Sequence, residues 1–126
     1  MLIDHCRDIE EFKKLYKSRS MPIQYDFNWL VNNPNLFCFY DENNGNLKGY
    51  ITLQIEDGEL TLSGASVRKN FKNNIDAVKK VCSVLKEDVF AYSSLKEAGI
   101  VLKKCGFKKV YTDNNNITKW RFEYGK

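Results

Sequence analysis

The chain has 126 residues and 14.7 kDa, with 43% hydrophobic and 29% charged side chains, so one folded domain over residues 1–126 is expected and a disordered chain is excluded. The longest apolar run, Leu36 to Tyr40, is far below the roughly 20 residues that span a bilayer, and Met1-Leu-Ile-Asp-His5 lacks a basic start and an apolar core. No membrane span or signal peptide is expected, which points to a cytoplasmic location, and the net charge of +4 is uneven: residues 1–66 hold 6 basic and 10 acidic side chains, residues 67–126 hold 14 and 6.

Met1 to Cys6 reads as a short strand. Asp8-Ile-Glu-Glu11 has capping-box spacing and opens a helix whose apolar positions Ile9, Phe12, Leu15 and Tyr16 share one face. Beyond a loop containing Pro22, Asp26 to Asn33 is a second, short helix that must stop before Pro34. Leu36 to Tyr40 is a strand by composition, and Asp41 to Asn46 supplies an Asn-Gly turn. Leu47 to Glu56 and Glu59 to Ser66, joined at Asp57-Gly58, continue as antiparallel strands. From Ile75 the period lengthens: Ile75, Val78, Cys82 and Leu85 recur at helical steps, with Lys79, Lys80 and Lys86 outside the stripe. Val89 to Tyr92 is a short apolar strand. Ser94-Leu-Lys-Glu97 repeats the capping-box spacing before a helix carrying Leu95, Ala98, Val101, Leu102 and Cys105, which Gly106 ends. Phe107 to Thr112 and Ile117 to Tyr124 close the chain as a hairpin around Asp113-Asn-Asn-Asn116.

The order β-α-α-β-β-β-α-β-α-β-β predicts an α+β fold, a mixed and mainly antiparallel sheet flanked by helices. The two strands around the central helix should run parallel and can splay into a cleft. Cys6, Cys38, Cys82 and Cys105 are far apart and read as reduced core residues. With His5 as the one histidine, no metal site is expected. Trp29 and Trp120 read as packing residues.

The stretch Leu95-Lys-Glu-Ala-Gly-Ile-Val-Leu-Lys-Lys-Cys-Gly-Phe-Lys-Lys-Val110 resembles the fourth helix of the GNAT N-acetyltransferase superfamily, which ends in a Gly-Phe turning into the sixth strand. The element order is similar over nearly the whole chain. Val67-Arg-Lys-Asn-Phe-Lys-Asn-Asn-Ile-Asp-Ala77 sits where that family has its pyrophosphate loop. The resemblance implies an acyl-CoA-dependent N-acyltransferase that takes acetyl-CoA and an unknown amine acceptor. Its implied cofactor-binding residues are Val67, Arg68, Lys69, Lys72, Asn73 and Asn74, the cations gripping phosphate by charge and the asparagines serving as loop and cap residues. Ile75 and Ala77 replace two expected glycines, and Asp76 is read in the helix's first turn, where a carboxylate opposes an anion. An ordinary capped helix with a solvated basic lead-in is the alternative reading of this segment.

Acetyl transfer to an amine needs a base for the amine and an acid for the departing thiolate. Where the family commonly has a glutamate on the fourth strand and a tyrosine in the fourth helix, this chain has Ser63 or Gly64, and Leu102. Tyr92 and Ser94, at the end of the fifth strand, are therefore the candidate catalytic hydroxyls, with Ser93 between them. Glu59 is a more distant candidate base beside a turn, where a solvated glutamate is usual. A narrower likeness is carried by Leu62-Ser-Gly64, Arg68-Lys69, Phe71-Lys72 and the helix ending at Gly106, which resemble the GNAT-like small internal virion proteins of short-tailed phages. That likeness implies a virion-associated role in assembly without turnover. Two functions thus stand: an N-acyltransferase, or an inactive GNAT-fold module with a structural role or a protein partner. Nucleic-acid binding through the basic half ranks behind both, since no reading motif accompanies the charge.

Overall fold

The computed structural model describes residues 2–17, 26–66 and 71–125. Its elements run β1 (Leu2–Asp4), α1 (Ile9–Lys17), α2 (Phe27–Asn32), β2 (Leu36–Tyr40), β3 (Leu47–Glu56), β4 (Glu59–Ser66), α3 (Phe71–Leu85), β5 (Val89–Ser93), α4 (Lys96–Lys104), β6 (Lys108–Thr112) and β7 (Thr118–Phe122). This is the α+β order the sequence predicts. The seven strands form one sheet, ordered β1-β2-β3-β4-β5-β7-β6, in which every pair is antiparallel except β4 with β5. Among the described residues, that parallel pair is joined by the single bridge Thr61–Phe90.

Local chemistry sets most boundaries. Asp8 Oδ1 accepts hydrogen bonds from the N–H groups of Glu10 and Glu11 at 2.9 and 3.3 Å, satisfying orphan donors at the start of α1. Asp26 does the same for α2 through the N–H of Trp29 at 2.7 Å, and the helix yields to extended backbone at Asn33, ahead of Pro34. Asp57 and Gly58 both take positive φ, 50° and 78°, which gives the β3–β4 hairpin a turn matched to strand twist. Gly106, at φ 95°, ends α4: its N–H reaches the Lys103 carbonyl at 3.1 Å and that of Phe107 reaches the Leu102 carbonyl at 3.0 Å, the paired bonds of a Schellman motif.

Three expectations are corrected. Helix α3 begins at Phe71, one turn before the apolar stripe that starts at Ile75, because Lys72, Asn73 and Asn74 are helical without contributing an apolar position to that stripe. The second capping box does not form: Leu95 holds the cap position of α4 in extended geometry, with no side-chain cap, so helical dihedrals begin only at Lys96. Ile9, read as part of the α1 stripe, is 56% exposed at the helix's outer end.

Two apolar layers sandwich the sheet. On one side Phe12, Leu15 and Leu30 of α1 and α2 pack on Leu36, Cys38, Tyr40, Leu47 and Tyr50. On the other, Ala77, Val78, Cys82, Val101 and Leu102 of α3 and α4 pack on Phe39, Ile51, Leu53, Leu62, Val89 and Ala91. The four cysteines carry free thiols, and three are buried in these layers. Burial pushes Cys38 and Cys82 up to about 12 and Cys105 up to about 11, so these thiols stay protonated packing groups at neutral pH. His5 is exposed and stacks on Phe37 at 5.7 Å between ring centroids.

Candidate functional site

The period of two along a strand divides β5 and β7 between the two sides of the sheet. Val89, Ala91 and Ser93 of β5 and Trp120 of β7 face α3 and α4, where Trp120 Nε1 donates to Ser93 Oγ at 2.9 Å. Phe90, Tyr92, Lys119 and Arg121 face the opposite side. There α1 and α2 cover β2 and β3, while Tyr92 and Tyr111 remain 40% and 48% exposed. The result is an open, polar and aromatic field over β5, β7 and β6.

Lys119 lies at its centre. Its Nζ donates to Glu59 Oε1 at 2.7 Å and sits 4.9 Å from the ring centroid of Phe90, 5.9 Å from that of Tyr92 and 6.0 Å from that of Tyr111. A carboxylate with several ring faces around one ammonium is the donor set that favours an organic cation. The hydrogen bond that Lys119 donates to Glu59 raises the Lys119 amine above the ordinary lysine range. Burial raises the Tyr92 phenol, so it is a proton donor at neutral pH. Arg121 flanks the cluster, its Nε on Asp88 Oδ2 at 3.1 Å and its guanidinium 5.6 Å from the Phe90 centroid. Glu59 is thus an ion-paired member of the site, unlike the solvated turn glutamate the sequence suggests.

The end of the described β4–β5 pairing adjoins this field. One rung past the Thr61–Phe90 bridge, Ser63 is level with Tyr92, and no ladder joins β4 to β5 there among the described residues. Ser63 Oγ accepts from Gln54 Nε2 at 3.1 Å. Across the β3–β4 ladder from Ser63 lies Thr52, wholly buried, whose Oγ1 has no hydrogen-bond partner among the described residues.

Of the residues singled out for the cofactor, Lys72, Asn73 and Asn74 form the first turn of α3, whereas Val67, Arg68 and Lys69 lie outside the described residues. The earlier start of α3 moves Ile75, Asp76 and Ala77 away from the loop. Ala77 is fully buried and Ile75 packs against the same core, both as ordinary helical residues. The first turn of α3 holds no acidic side chain, so its positive end is free of the carboxylate assigned to it from sequence. Leu102 is buried in the core, and Ser63 and Gly64 lack a titratable group.

Tyr92 and Ser94 are placed on different surfaces. Tyr92 borders the Lys119 cluster, whereas Ser94 lines a hollow of about 370 Å³ with Leu95, Gly99, Lys103, Asn116 and Trp120. A Cβ on Gly99 would come within 3.2 Å of Trp120 Cζ2, so helix α4 lies close against that ring. Trp120→Phe keeps most of the packing but removes the donor to the buried Ser93 hydroxyl, and a loss of about 1 kcal/mol in urea denaturation is expected. An unchanged midpoint would show that Ser93 finds another partner. Trp29, by contrast, is exposed on α2. Among the described residues, no three histidine, cysteine or carboxylate side chains come together as a metal site.

Sequence reading missed Lys119, Phe90 and Tyr111. The alternation in Thr118-Lys-Trp-Arg-Phe122 was the available signal, since it sets Lys119 and Arg121 opposite Trp120.

No protein-family model and no curated protein sequence matches the chain. Solved structures do match its fold. A point variant of the spermidine N-acetyltransferase SpeG from Vibrio cholerae aligns over 98% of this chain and 95% of its own, with a TM-score of 0.72 at 10% identity. The ribosomal-protein-S18-alanine N-acetyltransferase from Escherichia coli aligns over 99% and 94%, with a TM-score of 0.64 at 14% identity. A GNAT-family acetyltransferase from Bacillus anthracis aligns over 77% and 70%, with a TM-score of 0.61 at 14% identity. The chain therefore has the fold of the GNAT acetyltransferases.

Proposed function

We infer that the protein is an acyl-CoA-dependent N-acyltransferase that moves an acetyl group from acetyl-CoA to an amine. The observation that carries this reading is that the described β4–β5 pairing stops at Thr61–Phe90, while α3, whose first turn holds no acidic side chain, follows β4 after four residues of chain. Main-chain groups of β4 and β5 past that bridge can pair with an extended amide chain. Lys72, with Val67, Arg68 and Lys69 before it and Asn73 and Asn74 beside it, would hold the phosphates at the helix end. When bound, the thioester supplies the acyl group.

The chain's own part is to hold and move protons. Glu59 offers a carboxylate on the open field, able to take a proton from an amine seated over Phe90. Tyr92 keeps its proton and can return one to a leaving group. Ser94 offers a second hydroxyl at the α4 end of β5. Among the described residues no helix is long and apolar enough to cross a membrane, and a cytoplasmic site of action completes the reading.

A second reading, an inactive GNAT-fold module with a protein partner, as in a phage particle, is favoured by one observation: Ser63, Gly64 and Leu102 stand where the family's acid and base would be. Calorimetric titration of acetyl-CoA, with free CoA and ATP as controls, separates the two. Saturable binding specific to CoA species is expected, weakened roughly tenfold by Lys72→Glu. No binding at millimolar ligand would leave the module.

A further inference from the structure

Resting on the acyltransferase reading, we propose that the chain acetylates itself, with Lys119 Nζ as the first amine acceptor. Two observations carry it. Lys119 already sits on the carboxylate read as the base: its side chain is 15% exposed, its Nζ touches the Glu59 carboxylate at 2.7 Å, and Phe90, Tyr92 and Tyr111 surround it. Independently, the β5–β7 register sets Lys119 opposite Tyr92, one rung past the last β4–β5 bridge. Its backbone is therefore level with Ser63, past that bridge, while its Nζ is held at Glu59 on the other side of Thr61, so the side chain swings back toward Ser63 to meet an acyl thioester there.

The chemistry balances without an oxidant or reductant. One ammonium proton passes to the Glu59 carboxylate, and the freed lone pair on Nζ attacks the thioester carbonyl carbon. The N–C bond forms as the C–S bond breaks, and the thiolate leaves with the bonding electrons. The second nitrogen proton converts that thiolate to free CoA, and Glu59 returns its proton to water. The neutral amide keeps its packing on Phe90 and Tyr111 but loses the ion pair, which frees Glu59 for an external amine. Acylation of Lys119 thereby removes a tethered competitor from the site.

Spontaneous acetylation predicts the opposite pattern. A lysine held in its ammonium form by a carboxylate and largely shielded from water is a poor solution nucleophile. Random chemistry should favour the exposed Lys72, Lys108 and Lys109 instead.

The test is incubation of the full chain with acetyl-CoA, followed by intact mass and peptide mapping. One acetyl group on Lys119, ahead of all exposed lysines and saturating with acetyl-CoA, is expected. Lys119→Arg should abolish that adduct, and Glu59→Gln should slow it about a hundredfold. A readout that needs no turnover accompanies it: free CoA, which binds but cannot transfer, should shield Lys119 from an amine-reactive ester applied at a pH high enough to deprotonate this lysine. If free CoA binds by calorimetry while adducts scatter over exposed lysines or never form, the inference fails and the acyltransferase reading stands. An unchanged rate in Glu59→Gln also defeats it. If neither CoA nor acetyl-CoA binds, both fall together.

Discussion

Phe12→Ala is expected to destabilise the protein by about 3–5 kcal/mol, lowering the folding equilibrium constant more than a hundredfold. Phe12 is fully buried and is the point where three elements meet: its ring lies 5.7 Å from that of Phe27 at the start of α2 and 5.2 Å, edge-on, from that of Tyr50 on β3. Truncation removes the aromatic contacts and leaves a cavity between helix and sheet. Helix α1 has nine residues, too short to hold itself together in water, so its stability depends on this face. Urea denaturation measures the effect. A loss near the lower bound would mean that α1 settles into the gap, and one below about 1 kcal/mol would mean that α1 and α2 do not pack on β2 and β3 as described.

Where turn chemistry brackets a strand, the sequence defines it to the residue. β2, β3 and β4 are read correctly because Asn44-Gly45 and Asp57-Gly58 demand particular backbone conformations. Gly106 marks the end of α4 for the same reason. The starts of α3 and α4 are less legible. Lys72, Asn73 and Asn74 bring no apolar side chain to the first turn of α3, so the sequence places that helix one turn late and sets Asp76 wrongly at its anion-attracting end. Ser94 and Glu97 have the right spacing for a capping box, but Leu95 remains extended after β5 and takes the cap itself.

The site divides in a similar way. Tyr92 can be named from its place at the end of an apolar strand, because that depends on nearby residues alone. Its neighbours cannot. Lys119 meets Glu59 across 60 residues of sequence, through a β5–β7 register and a crossover that no local pattern encodes. Glu59 looks solvated beside Asp57-Gly58 until β7 brings a cation to it. A charged residue in a strand therefore keeps two readings, wet face or paired site, until the strand order is known.

Gly64 tests the other half of the proposed site, β4 past its bridge to β5. Its backbone is ordinary extended strand, so its requirement is for space and not for special dihedrals. A Cβ there would run into the carbonyl oxygen of Tyr50, a main-chain atom inside the β3–β4 ladder that cannot rotate aside. Gly64→Ala should accordingly cost about 3 kcal/mol despite alanine's better-ordered backbone, because relief requires opening the ladder between two central strands. Gly58→Ala is the contrasting case. Its φ of 78° strains any other residue, but nothing lies within 4 Å of the added carbon, so about 1 kcal/mol is expected. If close approach governs β4, Gly64→Ala must be the worse of the two. The displaced segment lies just past Ser63, beyond the Thr61–Phe90 bridge, so on the proposed function acetyl-CoA binding should also weaken at temperatures where the variant is folded. Equal stability of Gly64→Ala and the parent would show that β3 and β4 do not approach so closely. Lost binding with intact stability would place the acyl donor directly against this stretch of β4.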